Sequence, residues 1–351
     1  MKISAIGIAA LILCFVPSSA YPHKIHPLQN KYRQDSNTIL RRLSEPVHEH
    51  ITQLARACHE SATEISNEPL VCSSGNAPSI NAAGNKHDAL IRGVWWNDDP
   101  NQLLFGSNQG KFLAWMKDAE RISRCGVNWR GRTASINQTY YLTYRSHYGD
   151  FQFIHAMASR DGDSAARTQQ DILAWAEFTY EVATGRLDPE TTMASLATPH
   201  LRELFRQQSG WSVNYLFAPR YRLSGPNYTS RMAAGSLLHM IQDSYATGHT
   251  KRDFRPTSTC KSGRVLQFHS YANQDPESHS RQDSLEALRL REFTPAQDPV
   301  NVSATLLAFI ARKADWTEVE AYLRGTVFCI EESAEKASAG EFVLSEPKEC
   351  R

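Results

Sequence analysis

The spacing of apolar residues along the chain predicts a mainly helical protein. Between Ser164 and Thr184, apolar side chains recur at the intervals of an amphipathic helix, and Gly185 follows as a candidate C-cap. A second periodic stretch runs from Val302 to Arg324. The segments Asn76–Asn85 and Arg220–Thr229 are predicted as loops. No linker-like segment divides the chain, so we expect one mainly α-helical domain.

The first twenty residues have the pattern of a secretory signal peptide. Lys2 is the only charged residue among them, an apolar run extends from Ile6 to Val16, and Ser18-Ser19-Ala20 forms a small-residue cleavage site. This run is too short to span a membrane, and no later segment has about 18 uninterrupted apolar residues. We therefore predict a signal peptide at 1–20 and a soluble, secreted helical domain at 21–351, either extracellular or periplasmic.

Cysteine usage also suits an exported protein. The chain has seven cysteines, and Cys14 lies in the signal, which leaves six in the mature protein. Six exported cysteines can form three disulfides, and the lack of a C-x-x-C pair disfavours thiolate zinc ligation. We predict Cys58–Cys72 and Cys329–Cys350 because these pairs close short loops. Cys125–Cys260 is then the remaining pair.

The charge balance limits the classes of partner. The formal net charge of +1 becomes zero once Lys2 leaves with the signal peptide. A neutral protein has no bulk electrostatic preference for nucleic acid or for an anionic membrane, although a local basic groove remains possible. The sequence also contains no G-x-S-x-G, G-x-G-x-x-G or P-loop motif, so serine-hydrolase and nucleotide-binding functions lack support.

Candidate chemistry is concentrated in the segment from Leu238 to His249. His239 and Asp243 are four residues apart, so a helix would place both on one face. Gly248 is a plausible stop beyond that helix, which would leave His249 where the chain turns. Imidazole nitrogens and carboxylate oxygens are ordinary zinc ligands. The alternative is a helix with one hydrogen-bonded histidine and an exposed aspartate.

A second H-x-x-x-D run strengthens the metal interpretation. His279 and Asp283 repeat the spacing of His239 and Asp243 forty residues later. Two such pairs indicate a site that holds more than one metal ion. By contrast, His155 stands in the apolar context Phe-Ile-His-Ala-Met, and we interpret it as a core histidine rather than a ligand.

The two runs resemble motifs of the zinc-dependent phospholipases C, which share a superfamily with fungal zinc nucleases that cut single-stranded nucleic acid. The family's H-x-x-x-D-x-x-x-x-x-H is matched by His239, Asp243 and His249, and its later H-x-x-x-acid run by His279 and Asp283. The upstream elements are matched, in the family's order, by His48, Trp96-Asn97-Asp98 and Ser146-His147-Tyr148-Gly149-Asp150.

The resemblance implies three zinc ions and assigns their ligands. One zinc would be held by Asp98, His147, His239 and Asp243. A second would be held by His48 and would share Asp243, and the third would be held by His249, His279 and Asp283. Asp98 and Asp243 are the candidate catalytic residues, and Asp150 or Asp99 could orient a ligand histidine.

Three departures from the family pattern stand out. The family's N-terminal tryptophan, whose amino group binds a metal, has no counterpart before Trp95, and Glu45, Glu49 or water could replace it. The gap between Asp98 and His147 is long and implies an insertion. Finally, His269 competes with His279 as the late ligand, and we prefer His279 because an acid follows it four residues on.

The resemblance therefore predicts a phospholipase C that releases diacylglycerol and a phosphorylated headgroup. Its substrate would be a phosphatidylcholine-like phospholipid at a membrane or micelle surface, with no stable nucleic-acid partner, and the protein would act as a monomer. The alternative is a secreted zinc nuclease for single-stranded nucleic acid, and a zinc-stabilised binding protein is a third class. The recognised motifs do not specify the headgroup.

Overall fold

The computed structural model describes residues 45–62, 69–72, 88–100, 142–219, 226–271 and 273–344. These residues are mainly helical, as the apolar periodicity predicts. None of the helices in these ranges is long and apolar enough to cross a bilayer. In chain order the α-helices are α1 Val47–Ser61, α2 Ala89–Trp96, α3 Leu142–Tyr148, α4 Ala165–Thr184, α5 Pro199–Leu204, α6 Val213–Phe217, α7 Pro226–Asp243, α8 Pro276–Gln282, α9 Leu285–Arg289, α10 Pro299–Ala311 and α11 Trp316–Tyr322.

Helices α2 and α7 pack against each other through two glycines. A Cβ atom on Gly93 would lie 2.1 Å from the carbonyl oxygen of Met232, and one on Gly235 would lie 2.2 Å from that of Leu90. No side chain fits in so small a space, so the two backbones approach closely only because both residues lack a Cβ. This contact fixes the end of α2 beside the last turns of α7.

Helix α4 follows the sequence prediction closely. The Ser164 hydroxyl accepts a hydrogen bond from the Arg167 amide (3.2 Å), and Gly185 ends the helix in the left-handed conformation with φ 71°. The helix buries Trp175, whose ring stacks on Trp96 with centroids 5.7 Å apart. Through this stacking α4 supports the C-terminal end of α2.

Two other segments differ from the prediction. The stretch Val302–Arg324 forms two helices, because Lys313 takes a positive φ of 52° between α10 and α11. The hydroxyl of Tyr180 donates to the Ala314 carbonyl (2.7 Å) and lies 3.0 Å from the Phe309 carbonyl, which also accepts the Ala314 amide (3.0 Å) across this break. The predicted loop Arg220–Thr229 is helical from Pro226 onward, and 220–225 and 76–85 lie outside the described residues.

A small antiparallel sheet follows α7, and the sequence did not indicate it. Its strands are β1 Thr250–Asp253 and β2 Arg264–Phe268, with Thr250 paired to Phe268 and a register shift between Lys251 and Arg252. The pairing continues past the strands, where the His269 amide donates to the His249 carbonyl (2.8 Å). The sheet therefore holds the chain after β2 next to His249.

The disulfides agree with the prediction at one pair and correct it at another. Cys58 and Cys72 are bonded, as expected. Cys260 bonds to Cys329, so both predicted pairs involving these residues, Cys329–Cys350 and Cys125–Cys260, are wrong. The reason is tertiary: the Val265 amide of β2 donates to the Cys329 carbonyl (2.7 Å), which brings the segments together. Cys125 and Cys350 lie outside the described residues.

Candidate metal centre

Three groups of buried histidines and aspartates gather around the C-terminal end of α7. Within each group the ligand atoms lie within 4.8 Å of one another, which is close enough to share a metal ion. The first two groups share His239. The groups are His48, His239 and Asp243; Asp98, His155 and His239; and His249, His279 and Asp283.

The first group joins α1 to α7. His48 Nε2 lies 3.2 Å from Asp243 Oδ1, and the His48 ring stacks on His239 with centroids 3.9 Å apart. On the other side of the ring, His48 Nδ1 lies 2.7 Å from Gln242 Oε1, while Gln242 Nε2 donates to the Thr52 hydroxyl. If His48 Nδ1 donates to Gln242, its Nε2 lone pair faces Asp243 and is available to a metal.

The second group contains a residue that the sequence argument did not select. His155 Nδ1 lies 2.8 Å from Asp243 Oδ2 and 3.1 Å from His239 Nε2. His239 Nδ1 lies 2.6 Å from the Val94 carbonyl, which orients Nε2 towards the group. Asp98 Oδ1 is 4.0 Å from His239 Nε2. Asp243, through its two oxygens, therefore connects the first group to the second.

The third group lies between the turn after α7 and helix α8. His279 and Asp283 follow the i, i+4 spacing of a helix, and His279 Nε2 is 3.1 Å from Asp283 Oδ2. His249 Nε2 is 3.9 Å from Asp283 Oδ1. His249 Nδ1 lies 2.7 Å from the carbonyl of His155, so the second and third groups are coupled through the backbone.

The distances and the buried polar atoms fit metal coordination. Ligand atoms about 2.0–2.1 Å from a tetrahedral metal lie about 3.3 Å from each other, and the separations measured within the groups run from 2.9 Å to 4.0 Å. Both carboxylate oxygens of Asp98 and Nε2 of His279 are buried and make no hydrogen bond with any described residue. Bound ions would satisfy such groups. Imidazole and carboxylate donors suit zinc, and also iron, copper or nickel.

Burial keeps the histidines of the site in the form that binds metal. It lowers the pKa of His155 to about 3 and those of His239 and His249 to about 4. These imidazoles are therefore neutral near pH 7, with a lone pair to share. Burial, together with the charge of Asp243, raises the pKa of Asp98 well above its usual value. A cation near Asp98 would oppose this shift.

The structure places His155, rather than His147, in the group with Asp98 and His239. His155 is buried, as a core histidine would be, but it also lies within a group that could hold a metal ion. His147 lies beside it, with ring centroids 5.1 Å apart, and its Nδ1 is 3.0 Å from the Thr143 carbonyl. After α3 the chain forms a short 3₁₀ helix at Gln152–His155, and His155 is its last residue.

The other candidate residues take distinct positions. His269 is outside all three groups of described residues, with its Nδ1 3.2 Å from the Gly248 carbonyl, whereas His279 is within one. Asp150 is half-exposed and pairs with Arg145 at 2.7 Å, so it does not orient a ligand histidine. Asp99 is buried and near enough to Asp98 to raise its pKa.

Of the two glutamates considered near His48, Glu49 is the one close to the site. It is buried on α1, accepts a hydrogen bond from Trp95 Nε1 (2.6 Å), and contributes to the raised pKa of Asp98. Glu45 instead accepts a hydrogen bond from the Leu285 amide (2.9 Å). A carboxylate is thus available beside the first two groups without any contribution from the chain terminus.

Tyr271 is a further residue of the site that the sequence argument missed. Its ring centroid lies 5.1 Å from that of His279, 6.0 Å from His249 and 6.3 Å from His155. It follows β2 in the stretch that was considered only for His269. No periodicity or ligand spacing points to a tyrosine here, because the sheet pairing brings it into place.

Comparison with protein-family models, curated proteins and solved structures finds no match. The case for function therefore rests on the residues of this chain. Three buried His/Asp groups could each hold a metal ion, and the first two of them share His239.

Proposed function

We propose that this protein is a secreted zinc metallophospholipase C, which cleaves the glycerol-side phosphodiester of a phosphatidylcholine-like lipid. The observation that carries the proposal is the set of three adjoining His/Asp groups. Three cations held so close together would suit a substrate with a concentrated negative charge, and a phosphodiester has such a charge. The order of His48, Asp98, His239, Asp243, His249, His279 and Asp283 along the chain resembles the zinc-dependent phospholipases C.

The residues of the three groups would bind the zinc ions and hold them in fixed positions. Zinc ions at these positions would neutralise phosphate charge and lower the pKa of a bound water towards about 7. Asp243 would hold the first two sites at a fixed separation, since its two oxygens face His48 and His155 respectively. Gln242 and the Val94 carbonyl would keep His48 and His239 in one orientation.

Asp98 is our candidate for the residue that orients the attacking water. Its two oxygens make no hydrogen bond with any described residue, so at least one could accept a hydrogen bond from that water. Asp243 has little freedom for such a role, because His48, His155 and His239 all lie within 3.2 Å of its oxygens. We therefore assign Asp98 to the reacting centre and Asp243 to metal binding.

Phospholipid is preferred to nucleic acid on electrostatic grounds. Nucleic-acid binding depends mainly on lysine and arginine contacts with phosphates. This chain has 38 basic and 37 acidic residues, which gives no excess of positive charge. A zwitterionic lipid such as phosphatidylcholine does not require an excess of positive charge on the protein that binds it. The signal-like N-terminus supports the proposal that such an enzyme is secreted.

The test is an assay of the purified mature protein on short-chain phosphatidylcholine and on single-stranded DNA. We expect diacylglycerol and phosphocholine from the lipid, complete loss of turnover after chelation, and recovery on adding zinc. The matched variants are Asp98→Asn, which should reduce turnover at least about 100-fold, and Asp150→Asn, which should leave it unchanged because Asp150 pairs with Arg145 away from the three groups. Cleavage of DNA but not lipid would favour the nuclease, and chelator-resistant activity would contradict the proposal.

A further inference from the structure

Tyr271 is held rigidly at the point where the three His/Asp groups meet. Its backbone amide donates to Gln152 Oε1 (3.0 Å), and Gln152 Nε2 in turn donates to the Gly149 carbonyl (3.0 Å). The Tyr271 carbonyl accepts a hydrogen bond from the Gln274 amide (3.2 Å). Both backbone polar groups are therefore bonded, and the buried ring is held towards the histidines by packing against His279, His249 and His155.

The phenol of Tyr271 contacts more than one group of the site. Its ring lies against His279 and His249 of the third group and against His155 of the second. The hydroxyl is also near enough to Asp98, Asp243 and Asp283 for their charges to act on it. These are the acids of the second, first and third groups respectively. A ligand bound among the three groups would therefore lie next to this hydroxyl.

The hydroxyl of Tyr271 is buried and makes no hydrogen bond with any described residue. A buried hydroxyl without a hydrogen-bond partner lowers the stability of the folded protein, so its presence calls for an explanation. Tyr180 and Tyr245 are also buried, but their hydroxyls have partners: that of Tyr180 donates its hydrogen between the carbonyls of Phe309 and Ala314, and that of Tyr245 lies 3.1 Å from Gln297 Oε1. The missing partner of Tyr271 is thus a feature of its position at the site.

We propose that the Tyr271 hydroxyl donates a hydrogen bond to a non-bridging oxygen of a phosphoryl group bound among the three His/Asp groups. The inference rests on the proposed function, in which a phosphodiester binds there. A phenol supplies one O–H donor without adding charge. Its rigid placement means that no reorientation is needed when negative charge builds up on the phosphoryl oxygens, which is the condition for effective stabilisation of a transition state.

Tyr271→Phe removes only the hydroxyl, and Tyr180→Phe is the matched control at a buried tyrosine far from the three groups. Four quantities are measured: zinc bound per chain, the dissociation constant of inorganic phosphate with the zinc-loaded protein, kcat/KM on short-chain phosphatidylcholine, and Tm. For Tyr271→Phe we expect unchanged zinc content, about 10-fold weaker phosphate binding and a 10- to 100-fold lower kcat/KM. Its Tm should not fall, because no hydrogen bond is lost.

The control should show the opposite pattern. Tyr180→Phe loses the one hydrogen that its hydroxyl shares between two carbonyls, so its Tm should fall while phosphate binding and kcat/KM stay at the wild-type values. Wild-type phosphate affinity in Tyr271→Phe would overturn the inference, and so would a loss of zinc, which would make Tyr271 a metal ligand. Absence of lipid turnover in the wild type would refute the proposed function. The phosphate dissociation constants would still test whether the Tyr271 hydroxyl binds a phosphoryl oxygen. Failure of the zinc-loaded wild type to bind phosphate would contradict both.

Discussion

Substitution of one glycine should remove the third metal while leaving the others in place. A Cβ atom on Gly248 would lie 2.7 Å from Nδ1 and 3.0 Å from Cε1 of His279. Gly248 does not have a positive φ, so Gly248→Ala adds no backbone strain. The whole effect of the substitution therefore acts on the His279 ring.

The size of the displacement follows from the contact distance. Ordinary van der Waals contact of a Cβ atom begins at 3.4 Å, and 3.4 minus 2.7 gives 0.7 Å, the least distance by which the ring must move. Metal–ligand bonds tolerate deviations of only about 0.2 Å. The required shift is more than three times this tolerance. We expect the affinity of the third site for zinc to fall about 10- to 100-fold, as for other losses of ligand orientation.

The assay is zinc content per chain after dialysis against a series of weak chelators, with Gly210→Ala as the control. Gly210 also lacks a positive φ, and a Cβ atom there would meet nothing within 4 Å. The wild type and the control should lose the third zinc at the same chelator strength, and Gly248→Ala should lose it earlier. If Gly248→Ala instead retained all zinc as firmly as the control, His279 could not be a ligand in the observed position.

Three further predictions follow from the site and its supports. His155→Ala should lower zinc content and reduce turnover at least about 100-fold, whereas His269→Ala should do neither, because only His155 belongs to a group. Gly235→Ala should destabilise the protein by about 3 kcal/mol in urea unfolding, because its Cβ would lie 2.2 Å from a backbone oxygen; a change below about 0.5 kcal/mol would contradict the packing. Metal-free protein should lose stability as the pH falls from about 6.5, the ordinary histidine pKa, towards about 3, the pKa of buried His155, because the unfolded chain binds protons there that the folded state excludes; a Tm independent of pH in this range would refute it.

The local part of the structure could be predicted from the sequence. Helix α4 begins after Ser164 and ends at Gly185, since capping and apolar periodicity are encoded within the segment itself. The two H-x-x-x-D runs lie at the ends of α7 and α8, where the i, i+4 spacing brings each histidine next to its aspartate. The proximity of two side chains on one helix can thus be predicted from their spacing in the sequence.

The features that could not be predicted from the sequence depend on tertiary contacts. His155 is positioned by the short 3₁₀ helix after α3, and no spacing to another ligand in the sequence indicates that position. Tyr271 depends on the pairing of β1 with β2, and the disulfide Cys260–Cys329 depends on the segment that follows α11 lying beside β2. The preference for short disulfide loops therefore gave the correct partner for Cys58 but a wrong one for Cys329, whose true partner is 69 residues away.

The most direct test of the central claim is the anomalous scattering of a crystal of the mature protein grown with zinc, measured on both sides of the zinc absorption edge. The account predicts three peaks: one between His48 and Asp243, one between Asp98, His155 and His239, and one between His249, His279 and Asp283. Each should lie about 2.0–2.2 Å from its nitrogen and oxygen ligands. A map with no peak among these residues, or with zinc bound only at other sites, would contradict the account.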